Sequence, residues 1–215
     1  FQIPDIALKA SVTYRSEIEH SVNVKESFNS AGLLAGLNAA PSLNTDITTP
    51  QSVNLDFQTG IMANTVAFAN VRWVDWSSFS IQPYKFGLAS KSAAIQAQTG
   101  KSEFDLVAYT DDQISATVGV GRKLNDQWAG NVSVGWDSGA GNPVTTLGPT
   151  EGYWNVGLGA QFSPTPQTFI AGGVKYFWLG DAKAQSGAQF DTANYVADFE
   201  SNYAIAYGLK MGYKF

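Results

Sequence analysis

The sequence predicts an all-β chain whose roughly eight strands run up and down, antiparallel, as a transmembrane β-barrel. Three observations carry that prediction. The final segment, 203–215 (YAIAYGLKMGYKF), has Tyr203, Ile205, Tyr207, Leu209, Met211, Tyr213 and Phe215 at its odd positions and only Ala, Gly or Lys between them. Successive strand side chains face opposite ways, so one face is continuously apolar and the other thin and polar. Thirteen residues at roughly 3.3 Å each reach about 43 Å, enough for the 9–11 residues that a tilted strand needs in hydrocarbon, with overhang. Second, the connections between candidate strands alternate long and short along the whole chain, as they do when one end of a barrel carries turns and the other carries loops. Third, charged residues are only 14% of the 215, aromatics 13%, and glycines number 21. No run of about 18 apolar residues exists, which rules out a helical span but leaves a barrel open, since alternating faces cancel in any average.

In chain order, the first strand is expected over about 6–18, with Leu8, Ala10, Val12 and Tyr14 on one face and Lys9, Ser11, Thr13 and Arg15 on the other. A long connection, 20–51, contains the apolar patch AGLLAGLNAAPSL. Strand 52–62 sets Val53, Leu55 and Phe57 against Asn54, Asp56 and Gln58. A short turn leads to strand 66–79, with Ala67, Ala69, Val71 and Trp73 outward. After a connection at about 87–111, strand 113–122 sets Ile114, Ala116, Val118 and Val120 against Ser115, Thr117, Gly119 and Gly121. Strand 128–137 follows with Val132, Val134 and Trp136 outward. The Gly/Pro/Thr-rich stretch 138–151 reads as loop. Strand 153–162 then sets Trp154, Val156 and Leu158 outward, strand 167–179 sets Ile170, Val174, Tyr176 and Trp178 outward with Lys175 inward, and a last loop, 180–201, delivers the closing strand. A soluble sandwich would also alternate, but its apolar faces are aliphatic and its turns do not sort by length.

The inward set is mostly Gly, Ala, Ser and Asn. A closed eight-stranded barrel is just wide enough for side chains to fill it, and one lined this thinly would hold a void. The lining suits a wider barrel containing water or a plug, so 1–215 is expected to be one segment of a larger barrel. Phe1 begins almost directly in a strand, which makes the sequence either mature or shorn of something upstream. Cysteine is absent, and the net charge of −5 argues against nucleic acid as a partner. No phosphate loop, zinc spacing or nucleotide fingerprint is present, so no cofactor is expected.

The runs TYRSEI at 13–18, VRWVDWSSF at 71–79 and WAGNVSVGWDSGAGNPV at 128–144, together with the closing strand, resemble in order the later part of the outer-membrane long-chain fatty acid and aromatic hydrocarbon transporters (FadL-type). The resemblance implies a bacterial outer-membrane location and a fourteen-stranded barrel of which this is the C-terminal half, with the N-terminal hatch and early strands absent. It also implies passage of a hydrophobic small molecule by diffusion, without covalent chemistry. The terminal Phe215 resembles the signal by which such proteins engage the barrel-assembly machinery, and outer-membrane lipid is the expected surrounding partner. A small structural or adhesive eight-stranded barrel is the alternative.

Candidate ligand-binding residues fall in two places. Phe28, Leu33, Leu34 and Leu37 make the 20–51 connection greasy, and exposed apolar patches usually mark binding; a short helix is expected at 31–39. The same leucines would also serve as a cap packed on neighbouring loops. Among inward charges, Arg15 and Arg72 suit a fatty carboxylate through a charge-assisted hydrogen bond, while a ladder of cross-strand ion pairs is the plainer expectation. His20, the single histidine, would be the base of a hydrolase only with a Ser and an orienting group beside it. Asp111, Asp112 and Asp181 at strand ends would take a divalent cation or simply face water.

Overall fold

The structure, a computed structural model, describes residues 1–29, 32–148 and 150–214, without the side chain of Leu33. Phe215, and with it the expected terminal signal, lies outside the described residues. Eight long strands form the frame: β1 (Leu8–Arg15), β2 (Ser52–Met62), β3 (Thr65–Val74), β4 (Gln113–Lys123), β5 (Trp128–Asp137), β6 (Tyr153–Phe162), β7 (Thr168–Leu179) and β8 (Tyr203–Tyr213). Each pairs antiparallel with the next in sequence, and a short strand, Gln2–Ile3, doubles back on the start of β1. Among the described residues no pairing joins β8 to the other edge, so the sheet curves as an open meander with β8 bonded on one side only.

The register holds one parity across all eight strands and so settles the two faces. On the outside, Val12, Leu55, Val71, Ala116, Trp136, Trp154, Trp178 and Tyr203 stand side by side in one row. Its aromatic half forms a belt at the long-loop end. The next row down, through Val118, Val134, Val156, Tyr176 and Ile205, is apolar throughout. Near the short-turn end Trp128 meets Phe162 at 4.8 Å between ring centres, closing the band with a second belt. This face is open to its surroundings: Leu158 is 58% exposed and Tyr207 88%. Apolar surface this continuous belongs in hydrocarbon, bounded by aromatic girdles.

The inner face runs Lys9, Gln58, Phe68, Gly119, Ser133, Gly157, Lys175, Ala206 along a typical row. It is thin along this row, as expected, with aromatic additions that composition concealed. Phe68 is inward and lies flat over Gly119, where a Cβ would collide with its ring. Phe169 covers Gly212 in the same way. Glycine here lets a neighbouring strand's large side chain fold down along the wall, so the surface stays low.

Most of the buried apolar residues belong to the long loops, not the sheet. Val144, Ala182 and Ala184, packed by Ala197 and Phe199, form a small core in the three-stranded sheet of Val144–Thr145, Ala182–Gln185 and Ala197–Phe199. The 75–112 connection holds the helices Tyr84–Ser90 and Ala93–Thr99.

Two expected boundaries move. The first strand does not run over 6–18: β1 ends at Arg15, and Ile18–Asn23 starts a separate hairpin with Asn44–Thr49. Pro50, which lacks an N–H to continue a ladder, sits at that break. β3 stops at Val74 instead of 79 because Ser78 Oγ returns to the Asp75 carbonyl (2.9 Å) around a 3₁₀ turn, Trp76–Ser78.

Candidate functional site

The leucine loop is a built object. Residues Leu33–Gly36 form one α-helical turn, continued by a 3₁₀ turn at Leu37–Ala39, close to the expected 31–39. Asn38 closes it by pairing its amide with the Phe28 backbone, accepting from Phe28 N–H (2.8 Å) and donating to Phe28 C=O (3.1 Å). Phe28, Leu34 and Leu37 are half-buried, each with one flank open; the Leu33 side chain lies outside the described residues.

Three groups fasten this loop to the 75–112 connection. The Glu26 carboxylate accepts from the backbone N–H of Lys85 and of Phe86, both at 2.8 Å, in the first turn of Tyr84–Ser90. Such a carboxylate satisfies donors that the helix leaves unpaired. Thr45 Oγ1 accepts from Tyr84 N–H (3.2 Å), and the buried Lys85 ammonium donates to the Asn38 carbonyl (3.1 Å). Neither Glu26 nor Lys85 announces itself in sequence: the pair is 59 residues apart and only the folded loops bring it together.

Arg15 and Arg72 fall in the same quarter of the inner wall, near the long-loop end. Arg15 is opposite Ser52, and Arg72 lies between Asn54 and Ser115, so only β2 separates the two strands that carry them. Both are exposed to the hollow. The expected ladder of ion pairs does not form among the described residues: the ion pairs are Lys91–Glu103, Lys101–Asp191 and Lys123–Asp126, all outside the inner rows except for Lys123 at its turn. Asp56 instead accepts from Asn70 Nδ2 (2.7 Å). Among the described residues, small neutral register partners leave the guanidiniums without an ion pair. Toward the short-turn end the inner face holds a hollow of about 760 Å³ bordered by Phe68, Gly121, Asn131, Gln161, Gly173 and Lys210.

The remaining candidates are structural. Asp112 accepts from Ser77 Oγ (2.6 Å) and Trp73 Nε1 (3.0 Å), and the Ser77 hydroxyl above all holds its carboxyl below the usual range. Asp181 accepts from Ser201 N–H (2.8 Å). Among the described residues no group of three His, Cys, Asp or Glu is placed to hold a metal. His20 sits exposed on the loop hairpin, opposite Ile47.

Comparison with known proteins agrees with this geometry. No curated protein matches the chain. Among solved structures, a Pseudomonas aeruginosa FadL homologue superposes with a TM-score of 0.60 at 15% identity, over 95% of this chain and 48% of that one. A second, the CymD monoaromatic hydrocarbon channel, gives a TM-score of 0.45 at 11% identity, over 80% of this chain and 43% of that one. The chain thus spans about half the length of the FadL homologue, whose likeness speaks for the fold. The sequence model of the family described as outer membrane protein transport protein (OMPP1/FadL/TodX) matches residues 4–215. An outward band for lipid, an inward wall for water and a match along nearly the whole chain lead to one conclusion: this is a member of that family of bacterial outer-membrane transport proteins.

Proposed function

We propose that this chain is the C-terminal half of a fourteen-stranded barrel that passes long-chain fatty acids or aromatic hydrocarbons inward by passive diffusion. The carrying observation is the contrast between its two faces. An apolar band fit for lipid backs an inner wall floored with glycine, alanine, serine and asparagine, wide enough to keep a hollow of about 760 Å³. A self-filled eight-stranded barrel would bring β1 and β8 together, and no such pairing is present among the described residues. Strand edges cannot stay unpaired in lipid, so further strands on both edges complete the wall. This membership belongs with transport proteins, not enzymes.

In this reading Phe28, Leu33, Leu34 and Leu37 form the outer landing patch, and Arg15 with Arg72 meets an acid headgroup as it descends. Assembly proceeds through recognition of the closing strand and Phe215 by the barrel-assembly machinery. The test replaces Leu33, Leu34 and Leu37 with Ser in the intact protein and follows uptake at limiting substrate, which should fall for fatty acid and neutral hydrocarbon alike. Arg15→Gln with Arg72→Gln should lower uptake of the fatty acid only. Unchanged uptake in the leucine variant sinks the landing patch, and equal losses for both substrates in the arginine variant sink the headgroup role.

A further inference from the structure

Away from the leucine loop and the inner wall, a crevice of about 470 Å³ opens between the 75–112 and 180–202 connections. Three aromatic residues line it among polar ones. Phe104 is backed edge-on by Phe86 at 5.7 Å, and Tyr109 by Trp76 at 5.1 Å and Phe79 at 6.0 Å, while Phe190 comes from the opposite loop. Two clamps hold the crevice to shape. Gly187 lies so close to the Asp105 carbonyl that a Cβ would collide with it. Across the opening the Lys101 ammonium donates to the Phe190 carbonyl and stands 3.6 Å from Asp191.

Charge decides what such a crevice takes. Three carboxylates line it. Glu103 is matched by Lys91 at 2.9 Å and Asp191 by Lys101, which leaves Asp105 with no cation in ion-pair reach among the described residues. Burial first, then the charge of Glu103, pushes the Asp105 carboxyl above its usual range, against the opposing pull of Ser80 and of the Lys91 charge. Three carboxylates against one lining ammonium, Lys101, leave the crevice net negative.

We propose that this crevice binds a small organic cation, an aromatic or alkyl ammonium. Its charged head lies at Asp105 and its apolar body lies against Phe104, Tyr109 and Phe190. A cation over aromatic faces and against a carboxylate gains from both, and the volume is within the range of small-molecule sites. An anion of the same shape meets Glu103, Asp105 and Asp191, with Lys101 already engaged by Phe190 and Asp191, and is rejected. The site stands apart from the transport reading and does not depend on it.

The experiment titrates the intact protein, in an uncharged maltoside detergent, with benzylammonium, benzyl alcohol and benzoate, reading binding by calorimetry. Benzylammonium should bind at least about ten-fold more tightly than benzyl alcohol, with no benzoate binding. Asp105→Asn should erase that advantage and leave benzyl alcohol unchanged. Phe104→Leu, which keeps volume but loses the ring, should weaken benzylammonium several-fold. Equal affinities for the three probes, or an advantage that survives in Asp105→Asn, overturns the proposal.

Discussion

Removing the Glu26 side chain tests how the 20–51 loop is held. Its carboxylate receives two backbone N–H groups at 2.8 Å, from Lys85 and Phe86. Hydrogen bonds to a charged group are worth roughly 1.5–3 kcal/mol net each when shielded, and loss of a helix cap costs about 0.5–2 kcal/mol. Glu26 is only half-buried, which brings the two bonds below their shielded sum to the upper end of the cap range, and Glu26→Ala should cost about 2 kcal/mol of local stability. At 1.4 kcal/mol per factor of ten this is about a 30-fold rise in local opening.

Amide hydrogen exchange on the protein in detergent reads that opening directly. In Glu26→Ala the amides of Lys85 and Phe86 should lose about 30-fold in protection, whereas those of Val132 and Val134 in β5 should not change. Glu26→Gln keeps an acceptor but not the charge and should lose roughly half as much in free energy. Because Asn38, held by Lys85, closes the turn bearing Phe28, the Ala variant should also take up less hydrophobe at limiting concentration. Unaltered protection at Lys85 and Phe86 would refute the claim that Glu26 joins the two loops.

Two further outcomes follow from the same geometry. Val118 and Thr117 are neighbours on β4 that face opposite media; Val118→Lys should destabilise the barrel in lipid vesicles by about 2–4 kcal/mol, while Thr117→Lys costs well under half of that, both measured by denaturant titration. Asp105 has a carboxyl pKa raised mainly by burial, so the folded chain holds that proton at pH values where the unfolded chain has released it. Its ionisation therefore lowers stability as pH rises, and Asp105→Asn should raise the melting temperature at pH 7, with the gain fading to nothing below the ordinary aspartate value of about 3.9.

The strands were legible because their signal is local. Alternation at Tyr203, Ile205 and Tyr207 needs no knowledge of what lies across the sheet, and the register then confirmed one parity from β1 to β8. Phe68 was harder to read. Its flanking residues Ala67 and Ala69 are small and Val66 is apolar, and only the pairing with Gly119 explains why a large ring belongs on the inside. The loops were least legible. Glu26 with Lys85, and Gly187 with Asp105, depend on contacts between segments 59 and 82 residues apart, and no periodicity encodes those. The expected ion-pair ladder failed for a similar reason: Arg72 and Asp56 are both inward, but their register partners are Asn54 with Ser115 and Ser11 with Asn70, so opposite charges never face each other.

The distribution of chemistry along the barrel axis explains how a hydrophobe would keep moving. Aromatic and leucine side chains, with nearly all of the hydrogen-bonded carboxylates, crowd the long-loop end. Below Arg15 and Arg72 the inner wall from β4 to β6 is largely glycine, serine and asparagine, with Phe68 pressed flat instead of projecting. A passage must attract its cargo at the mouth yet hold it weakly enough farther on for release. Contact with a glycine floor contributes little dispersion energy, since few atoms stand on that side of the cargo. Large residues in that floor would deepen the well and slow escape, so the scarcity of bulk there, which looks like poor packing in a soluble core, fits the proposed passage by diffusion.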